Sequence, residues 1–474
     1  MQKTVSFVLD EKICTIDFNG TYTPTTTVLQ YLRSSPLHKG LKEGCAEGDC
    51  GACTVVIGEL ENNRLTYKAW DSCLVFLPML QGKQLITIEN LTNKGNSHTV
   101  QKAMVECNGS QCGYCTPGIV MSLFALYKKE SVTSRESIDD ALTGNLCRCT
   151  GYKPIIEAAA KACAAKSDDS FTVNEKKIIE LLVQIRREGG SLEIQTDKQY
   201  YYRPQTLAEA LTLRNKLPDS ILVNGGTDVA LRVTKRHELL KEVIDLSGIE
   251  ELKGFSMKGT EVAFGAGMSL EDVKKEAQTV LPALYDALTV FGSKQIRSVA
   301  TLGGNLGSAS PIGDTLPVLM AYNAEIILQS LNGNRKVNMN NFVLGYRKTE
   351  RRQDEVIAAI VISTPAPDAH IKFYKVSKRK DLDISTVSAG FSLQLNKGKI
   401  DSITLAYGGM AAVTKRALKA EEYLKNKVWN RENVENAMML VGEEFTPISD
   451  ARSGAEFRTA AAKNLLLKFW SETL

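Results

Sequence analysis

Three cysteines fall within nine residues, Cys45-Ala46-Glu47-Gly48-Asp49-Cys50-Gly51-Ala52-Cys53, in C-x4-C-x2-C spacing. Thiols this close converge on a group that binds sulfur, and the spacing, completed by a distant fourth cysteine, is the plant-type ligand set of a [2Fe-2S] cluster. Cys73 is the natural fourth ligand. The glycines serve the same chemistry: a tightly wound loop needs positive φ angles and close backbone approach, and it can turn amide N–H groups toward the sulfurs.

A second thiol group follows. Gly109-Ser110-Gln111-Cys112-Gly113-Tyr114-Cys115-Thr116-Pro117-Gly118 holds a C-x2-C pair, and Gly144-Asn145-Leu146-Cys147-Arg148-Cys149-Thr150-Gly151 holds a C-x-C pair, with 31 residues between the pairs. Four thiolates also suit zinc. The first spacing matches iron-sulfur specifically, whereas the second pair alone is ambiguous. Cys14, Cys107 and Cys163 sit in apolar strand or helix patterns, where a buried inert thiol is the usual outcome.

Stepping outward from the thiols, all 11 cysteines lie between Cys14 and Cys163 of a 474-residue chain, so a metal module is joined to a metal-free one. The length exceeds that of one hydrophobic core and predicts about two to four domains. A net charge of +4 with 24% charged residues gives no sign of an electrostatic nucleic-acid binder, and no nucleic-acid partner is expected. The N-terminal ten residues alternate like a strand rather than forming a signal core, and no apolar run is long enough to cross a bilayer. The expectation is a cytoplasmic protein without a membrane association, in a reducing compartment where thiol clusters bind metal.

Short strands are expected at Val5 to Leu9, Ile13 to Phe18, Thr54 to Ile57, Leu65 to Ala69 and Leu85 to Glu89, with a short helix at Val28 to Ser34. That is the pattern of a β-grasp fold. From about residue 98 the period becomes helical, with Val100, Ala103, Met104 and Cys107 on one face and further helices at Ile119 to Tyr127 and Ile138 to Leu142. Residues 166–198, with a charged amphipathic helix and Gly189-Gly190, read as a linker.

In the thiol-free half, Ile221 and Leu222-Val223-Asn224-Gly225-Gly226-Thr227-Asp228-Val229 run an apolar strand into a glycine turn. It lacks the G-x-G-x-x-G fingerprint, and alone it reads as a turn between strands. A second glycine-rich stretch, from Phe291 through Thr301-Leu302-Gly303-Gly304-Asn305 to Asp314, changes that balance. Two such loops suggest a nucleotide diphosphate held against backbone N–H groups. Residues 371–409 read as a three-stranded meander with a Lys-Gly-Lys turn at 397–399, and the charge run around Lys375 to Asp383 is either a solvated loop or part of a site.

Taken together, the two cysteine sets, Gly303-Gly304-Asn305, Ser310-Pro311-Ile312-Gly313-Asp314 and Gly345-Tyr346-Arg347-Lys348-Thr349 closely resemble the molybdenum hydroxylases. Within that family they resemble the iron-sulfur and flavin part of the xanthine dehydrogenase type. The resemblance implies an α+β multidomain chain: a β-grasp plant-type [2Fe-2S] ferredoxin domain (1–90), a helical-bundle [2Fe-2S] domain (91–165), the linker (166–198), an FAD-binding α+β domain (199–366) and a C-terminal α+β subdomain on the FAD and NAD side (367–474). It implies Cys45, Cys50, Cys53 and Cys73 on one cluster, and Cys112, Cys115, Cys147 and Cys149 on the other, nearer the molybdenum cofactor, with Gln111 approaching the pterin. Leu222, Val223, Asn224, Gly225, Gly226, Thr227, Asp228, Val229, Phe291, Thr301, Leu302, Gly303, Gly304, Asn305, Asp314, Ile357 and Lys375 carry over to FAD, and Tyr346 to the nicotinamide nucleotide.

The family's molybdopterin-binding part is expected on a separate large subunit, in a heterotetramer of two of each chain. Electrons from a purine oxidised there would pass through both clusters to FAD and on to NAD+. An aldehyde, nicotinate-type or carbon monoxide dehydrogenase is the alternative within the family, and a zinc-stabilised binding module the alternative outside it. Asp381-Leu382-Asp383 departs from the more acidic loop of animal relatives, which leaves the choice of electron acceptor open, and the cysteine-free linker argues against a disulfide switch.

Overall fold

A computed structural model describes residues 3–93, 95–129 and 133–474; the first two residues of the N-terminal alternation lie outside them. The chain forms two compact units. The first comprises the chain through Ala210 with Asp219–Ile249 and Gly292–Ala300, and the second Leu211–Pro218, Glu250–Phe291 and Thr301–Leu474.

In the first unit, Val5–Leu9 and Lys12–Ile16 make a hairpin on the two-residue turn Asp10-Glu11, whose φ values of 51° and 57° give the mirror-image turn that matches strand twist. Asn62-Asn63 repeats the device between Thr54–Glu61 and Arg64–Asp71. With Gln84–Ile86 these form a five-stranded sheet in which Val5–Leu9 pairs parallel to Gln84–Ile86 and the other pairs are antiparallel. The expected strand at Leu85 to Glu89 stops at Ile86, because Thr87 caps a 3-10 turn, Ile88–Leu91, with Asn90 closing a capping box. The helix Val28–Ser34 buries Val28, Leu29 and Leu32 in this region's core.

Four helices follow: Thr99–Glu106, Thr116–Lys129, Arg135–Leu142 and Lys153–Ala164. They share a core built on Ile119, Phe124, Ile138, Ile155 and Ala159. Residues 166–198, expected as a linker, carry regular structure: in the helix Glu175–Glu188, Ile178, Leu182 and Ile185 lie on one face and pack with Val8 and Leu65. Leu192–Gln195 then opens a four-stranded sheet, pairing antiparallel to Tyr200–Arg203, with Glu242–Asp245 and Ile221–Val223 added in parallel. Leu192, Tyr201, Val223 and Val243 of this sheet join the same core as Phe7 and Val55 of the first, Leu32 of the helix and Phe76.

The second unit holds an antiparallel five-stranded sheet centred on Val356–Ser363. It also contains the meander His370–Val376, Val387–Asn396, Lys399–Gly408, whose second turn is Lys397-Gly398 with φ 52° and 75°. The helices Leu418–Leu424, Arg431–Glu444 and Ala455–Glu472 close over an aromatic core of Tyr374, Phe391, Tyr407, Trp429 and Phe469. No helix among the described residues is long and apolar enough to cross a membrane.

Candidate functional site

The loop Cys45–Cys53 runs between the first helix and the strand Thr54–Glu61, and it turns through left-handed backbone at Ala46, Gly48 and Gly51. This winding brings the N–H groups of Glu47 and Asp49 to 3.4 and 3.3 Å from the Cys45 sulfur. Cys73 arrives from the 3-10 turn after Arg64–Asp71, where the Ser72 hydroxyl donates to the Cys53 carbonyl at 2.6 Å. Cys53 and Cys73 are buried; Cys45 and Cys50 are half-buried.

The thiols act in pairs. A hydrogen bond from Cys50, with the N–H groups of Glu47 and Asp49, pulls Cys45 down to about 5 against its burial, and Cys50 is pushed up by the same bond. Cys73 does the same for Cys53, which is lowered while Cys73 is raised. Four thiols from one loop and the turn after it, with two N–H groups on the Cys45 sulfur, have the chemistry of a set that could hold a two-iron cluster. Among the described residues, no three cysteine, histidine, aspartate or glutamate side chains lie close enough together to hold a metal ion as placed. Asp71, fully buried beside this set, has its carboxyl pushed up by burial and by the neighbouring Cys53 and Cys45.

The second set is built at helix ends. Cys112 and Cys115 precede and touch the start of Thr116–Lys129, and Cys147 and Cys149 lie in the loop before Lys153–Ala164. Cys112 and Cys149 are exposed, with their sulfurs 3.6 Å apart. Cys115 is raised to about 12 by burial and by its bond to Cys147. Burial opposes the lowering of Cys147, which the Thr150 hydroxyl at 3.1 Å brings about. Gln111 is exposed at the same rim.

Backbone contacts join the sets. The Leu146 N–H donates to the Cys50 carbonyl at 3.0 Å, one residue from Cys147. A Cβ at Gly118 would lie 1.9 Å from the Gly51 carbonyl oxygen, and one at Gly51 would lie 2.2 Å from that of Gly144, so both positions need glycine. The Tyr114 hydroxyl donates to the Glu43 carbonyl, and the Asn145 side chain donates to the Gly51 carbonyl at 3.1 Å. The Gly144-Asn145 pair just ahead of Cys147 is the sequence signal that marks this joint.

Of the residues expected at FAD, those of the first unit are Leu222 and Val223 in the strand Ile221–Val223 and Asn224 to Val229 in the turn beyond it. Gly226 is left-handed at φ 76°, and Gly225 packs on the Val299 carbonyl. The N–H groups of Gly225, Gly226 and Thr227 donate to no atom among the described residues, the condition of a backbone anion cradle. A five-residue helix, Ala230–Thr234, follows where the sequence shows none, and Lys235 beyond it donates to the Cys45 carbonyl at 3.1 Å.

In the second unit, Thr301 caps the helix Leu302–Ser308, its hydroxyl accepting the Gly304 N–H, and Gly303 packs on Ala266. Asn305 accepts from the Thr315 hydroxyl at 2.5 Å. Asp314 and Lys375 form a buried ion pair at 2.8 Å, Ser385 donates to Asp314 at 2.5 Å, and Lys375 also donates to the Val290 carbonyl beside Phe291. Ser385 is a member that sequence reasoning missed. Ile357, in Val356–Ser363, faces Gly307 at 3.6 Å for a Cβ there. Tyr346 stands apart from these, 62% exposed on the hairpin of Val343–Gly345 and Lys348–Thr349.

Three family models match: the FAD binding domain in molybdopterin dehydrogenase over residues 192–365, the CO dehydrogenase flavoprotein C-terminal domain over 372–473, and the [2Fe-2S] binding domain over 87–160. The chain is similar to a xanthine dehydrogenase of Emericella nidulans, 31% identical over 95% of this chain and 37% of the relative. It is also similar to a xanthine dehydrogenase/oxidase of Gallus gallus, 31% identical over 99% of this chain and 40% of the relative. The chain thus spans about two fifths of the length of these curated relatives. Among solved structures, a chain of the carbon monoxide dehydrogenase from Hydrogenophaga pseudoflava matches with a TM-score of 0.56 and 26% identity, covering 59% of this chain and 99% of that one.

Proposed function

We propose that this homologue of the xanthine dehydrogenases, carrying their family's FAD-binding and [2Fe-2S] models, is the electron-transfer subunit of a molybdenum hydroxylase of the xanthine dehydrogenase type. The observation that carries the reading is the pair of four-thiol sets joined by the Leu146–Cys50 hydrogen bond, in a chain that also bears the flavin model. On this reading Cys45, Cys50, Cys53 and Cys73 hold one [2Fe-2S] cluster within a β-grasp domain, and Cys112, Cys115, Cys147 and Cys149 hold the other in the helical domain.

When bound, the clusters supply one-electron steps and FAD joins single electrons into the pair that NAD+ accepts. The chain's own residues do the positioning. The N–H groups of Glu47 and Asp49 lie on the Cys45 sulfur and favour its anionic form. The unpaired N–H groups of Gly225, Gly226 and Thr227 suit a phosphate, and the Asp314–Lys375 pair fixes the backbone beside Phe291. Tyr346 is assigned to the nicotinamide nucleotide. The exposed rim of Cys112, Cys149 and Gln111 is assigned to a molybdopterin-binding large subunit, in a heterotetramer of two of each chain.

A second reading keeps the same role but places the substrate elsewhere. The C-terminal model and the Hydrogenophaga pseudoflava structure both belong to carbon monoxide dehydrogenases. Purifying the chain with its partner separates the two: purines, aldehydes and carbon monoxide are offered in turn with NAD+. The xanthine type expects purine-dependent NADH. A colourless protein without about four irons per chain and without flavin would sink both readings.

A further inference from the structure

The segment Gly292–Ala300 belongs by sequence to the flavin model, yet it lies in the unit of the thiol sets. Ser293 caps the short helix Lys294–Arg297, and Ser293, Gln295 and Arg297 are fully buried. Arg297 and Lys294 both pair with Asp140, and the Lys294 N–H donates to the Thr143 hydroxyl at 3.0 Å, so the helix is fixed to the end of Arg135–Leu142. Gln295 points inward. Its Nε2 lies 2.8 Å from the Ser122 hydroxyl, 2.9 Å from the Asn145 side-chain Oδ1 and 3.1 Å from the Ala141 backbone carbonyl.

We propose that Gln295 is a positioning residue for electron transfer between the two thiol sets, a role that rests on reading those sets as cluster ligands. It acts through the turn Gly144-Asn145-Leu146. Asn145, held by Gln295 and Ser122, donates to the Gly51 carbonyl, and the next N–H, that of Leu146, donates to the Cys50 carbonyl. Cys50 and Cys147 therefore meet across a joint whose geometry Gln295 sets from outside. Gly144 shows how closely the parts fit: its φ is ordinary, but a Cβ there would lie 2.3 Å from Gln295 Oε1, so glycine is required to admit this side chain. That Oε1 is buried without a hydrogen-bond partner among the described residues. An apolar side chain of equal size would avoid this cost, so what the amide contributes is its N–H groups. The step it would serve balances: the cluster that Cys112, Cys115, Cys147 and Cys149 would hold supplies one electron, and the cluster that Cys45, Cys50, Cys53 and Cys73 would hold takes it up, with no bond made or broken and no proton moved.

The test is low-temperature electron paramagnetic resonance of the dithionite-reduced full chain, with iron and flavin analysed in the same samples. Gln295→Met fills the same space without donors. The expected result is unchanged iron and FAD, both cluster signals present, and loss of the magnetic splitting between them. In the complex with its partner, the flavin should be reduced about tenfold more slowly, as small displacements cost where position sets the rate. A packing role predicts that Gln295→Met behaves as wild type, and unchanged splitting overturns the proposal. If Gln295→Met loses iron, Ser122→Ala decides: it removes one acceptor of Gln295 and one donor to Asn145 while leaving Gln295 in place, and it must shift the splitting or the proposal fails. A wild-type chain without iron-sulfur signals would instead overturn the functional reading itself.

Discussion

Cys53 and Cys73 are sealed in a core that also contains Leu74, Phe76 and Met79, whereas Cys112 and Cys149 lie on the surface at the end of a helix. Three thiols of the first set come from one tight loop with N–H groups on the Cys45 sulfur, and the fourth, Cys73, from a 3-10 turn; the second set is assembled from two short segments at helix starts that 31 residues separate. The difference teaches what each place is suited to. The buried pair Cys53 and Cys73 exchanges electrons only through the protein around it and also carries packing. The exposed pair Cys112 and Cys149 can face another macromolecule and carries little of the fold, while Cys147 of the same set belongs to the core of the helices.

The sharpest way to break this contrast is to exchange ligands for serine. Cys73→Ser should remove the first set's iron, about half of the total, and also lower the melting temperature, since it puts a polar group in a packed core. Cys149→Ser should remove only the second set's iron and leave the melting temperature unchanged. Equal melting losses in the two variants would end the distinction.

Next in size is Gly118→Ala. Its methyl would meet the Gly51 carbonyl at 1.9 Å, backbone that cannot step aside, and overpacking of this kind costs about 1–3 kcal/mol or more. Because this contact belongs to both sets, iron should fall at both together, as read by metal analysis and by the two paramagnetic signals.

Asp314→Ala tests whether the second unit stands clear of both sets. It leaves Lys375 buried without its carboxylate, at a cost on the order of 3–5 kcal/mol for a broken buried pair. Flavin content should drop while iron stays at the wild-type level. Tyr114→Phe is milder. It deletes one hydrogen bond, worth roughly 1 kcal/mol, between the half-exposed Tyr114 and Glu43, and a chelator should then strip the second set faster than the first.

Acid should give the smallest effect. Burial raises the Asp169 carboxyl, but the His98 ring, the Thr172 N–H and Lys128 outweigh it and hold the group well below the usual carboxylate range. A lowered native pKa means stability that is complete above the ordinary value near ~3.9 and is lost as pH falls beneath it. Melting temperatures should therefore decline below about pH 4, and Asp169→Asn should flatten that decline. An unchanged slope would count against the tie.

Much of this was legible in the chain. The eight thiols, the meander with its Lys397-Gly398 turn and the glycine turn at Gly225-Gly226 follow from spacing and turn chemistry, which are local. What escaped was long-range. The face of Ile178, Leu182 and Ile185 is plain as a period, but its partners Val8 and Leu65 are far away in sequence, so the segment read as a linker. Gln295 and Asn145 are 150 residues apart, and neither stands out until folding brings their amides together. The end of the strand expected at Leu85 to Glu89 went the other way: its apolar residues suggested that the strand ran on, and the Thr87 and Asn90 cap decided for a turn from Ile88.

The core shared by the two sheets of the first unit has a practical corollary. A fragment cut near Gly190, just before the flavin model begins, would take away Leu192, Tyr201, Val223 and Val243 and leave Phe7, Leu32, Val55 and Phe76 without their cover. Both pieces would expose broad apolar faces, which drive aggregation. Co-expressed, the same pieces should find each other and reassemble. The natural seam for dissecting this chain is thus not the border between its sequence modules.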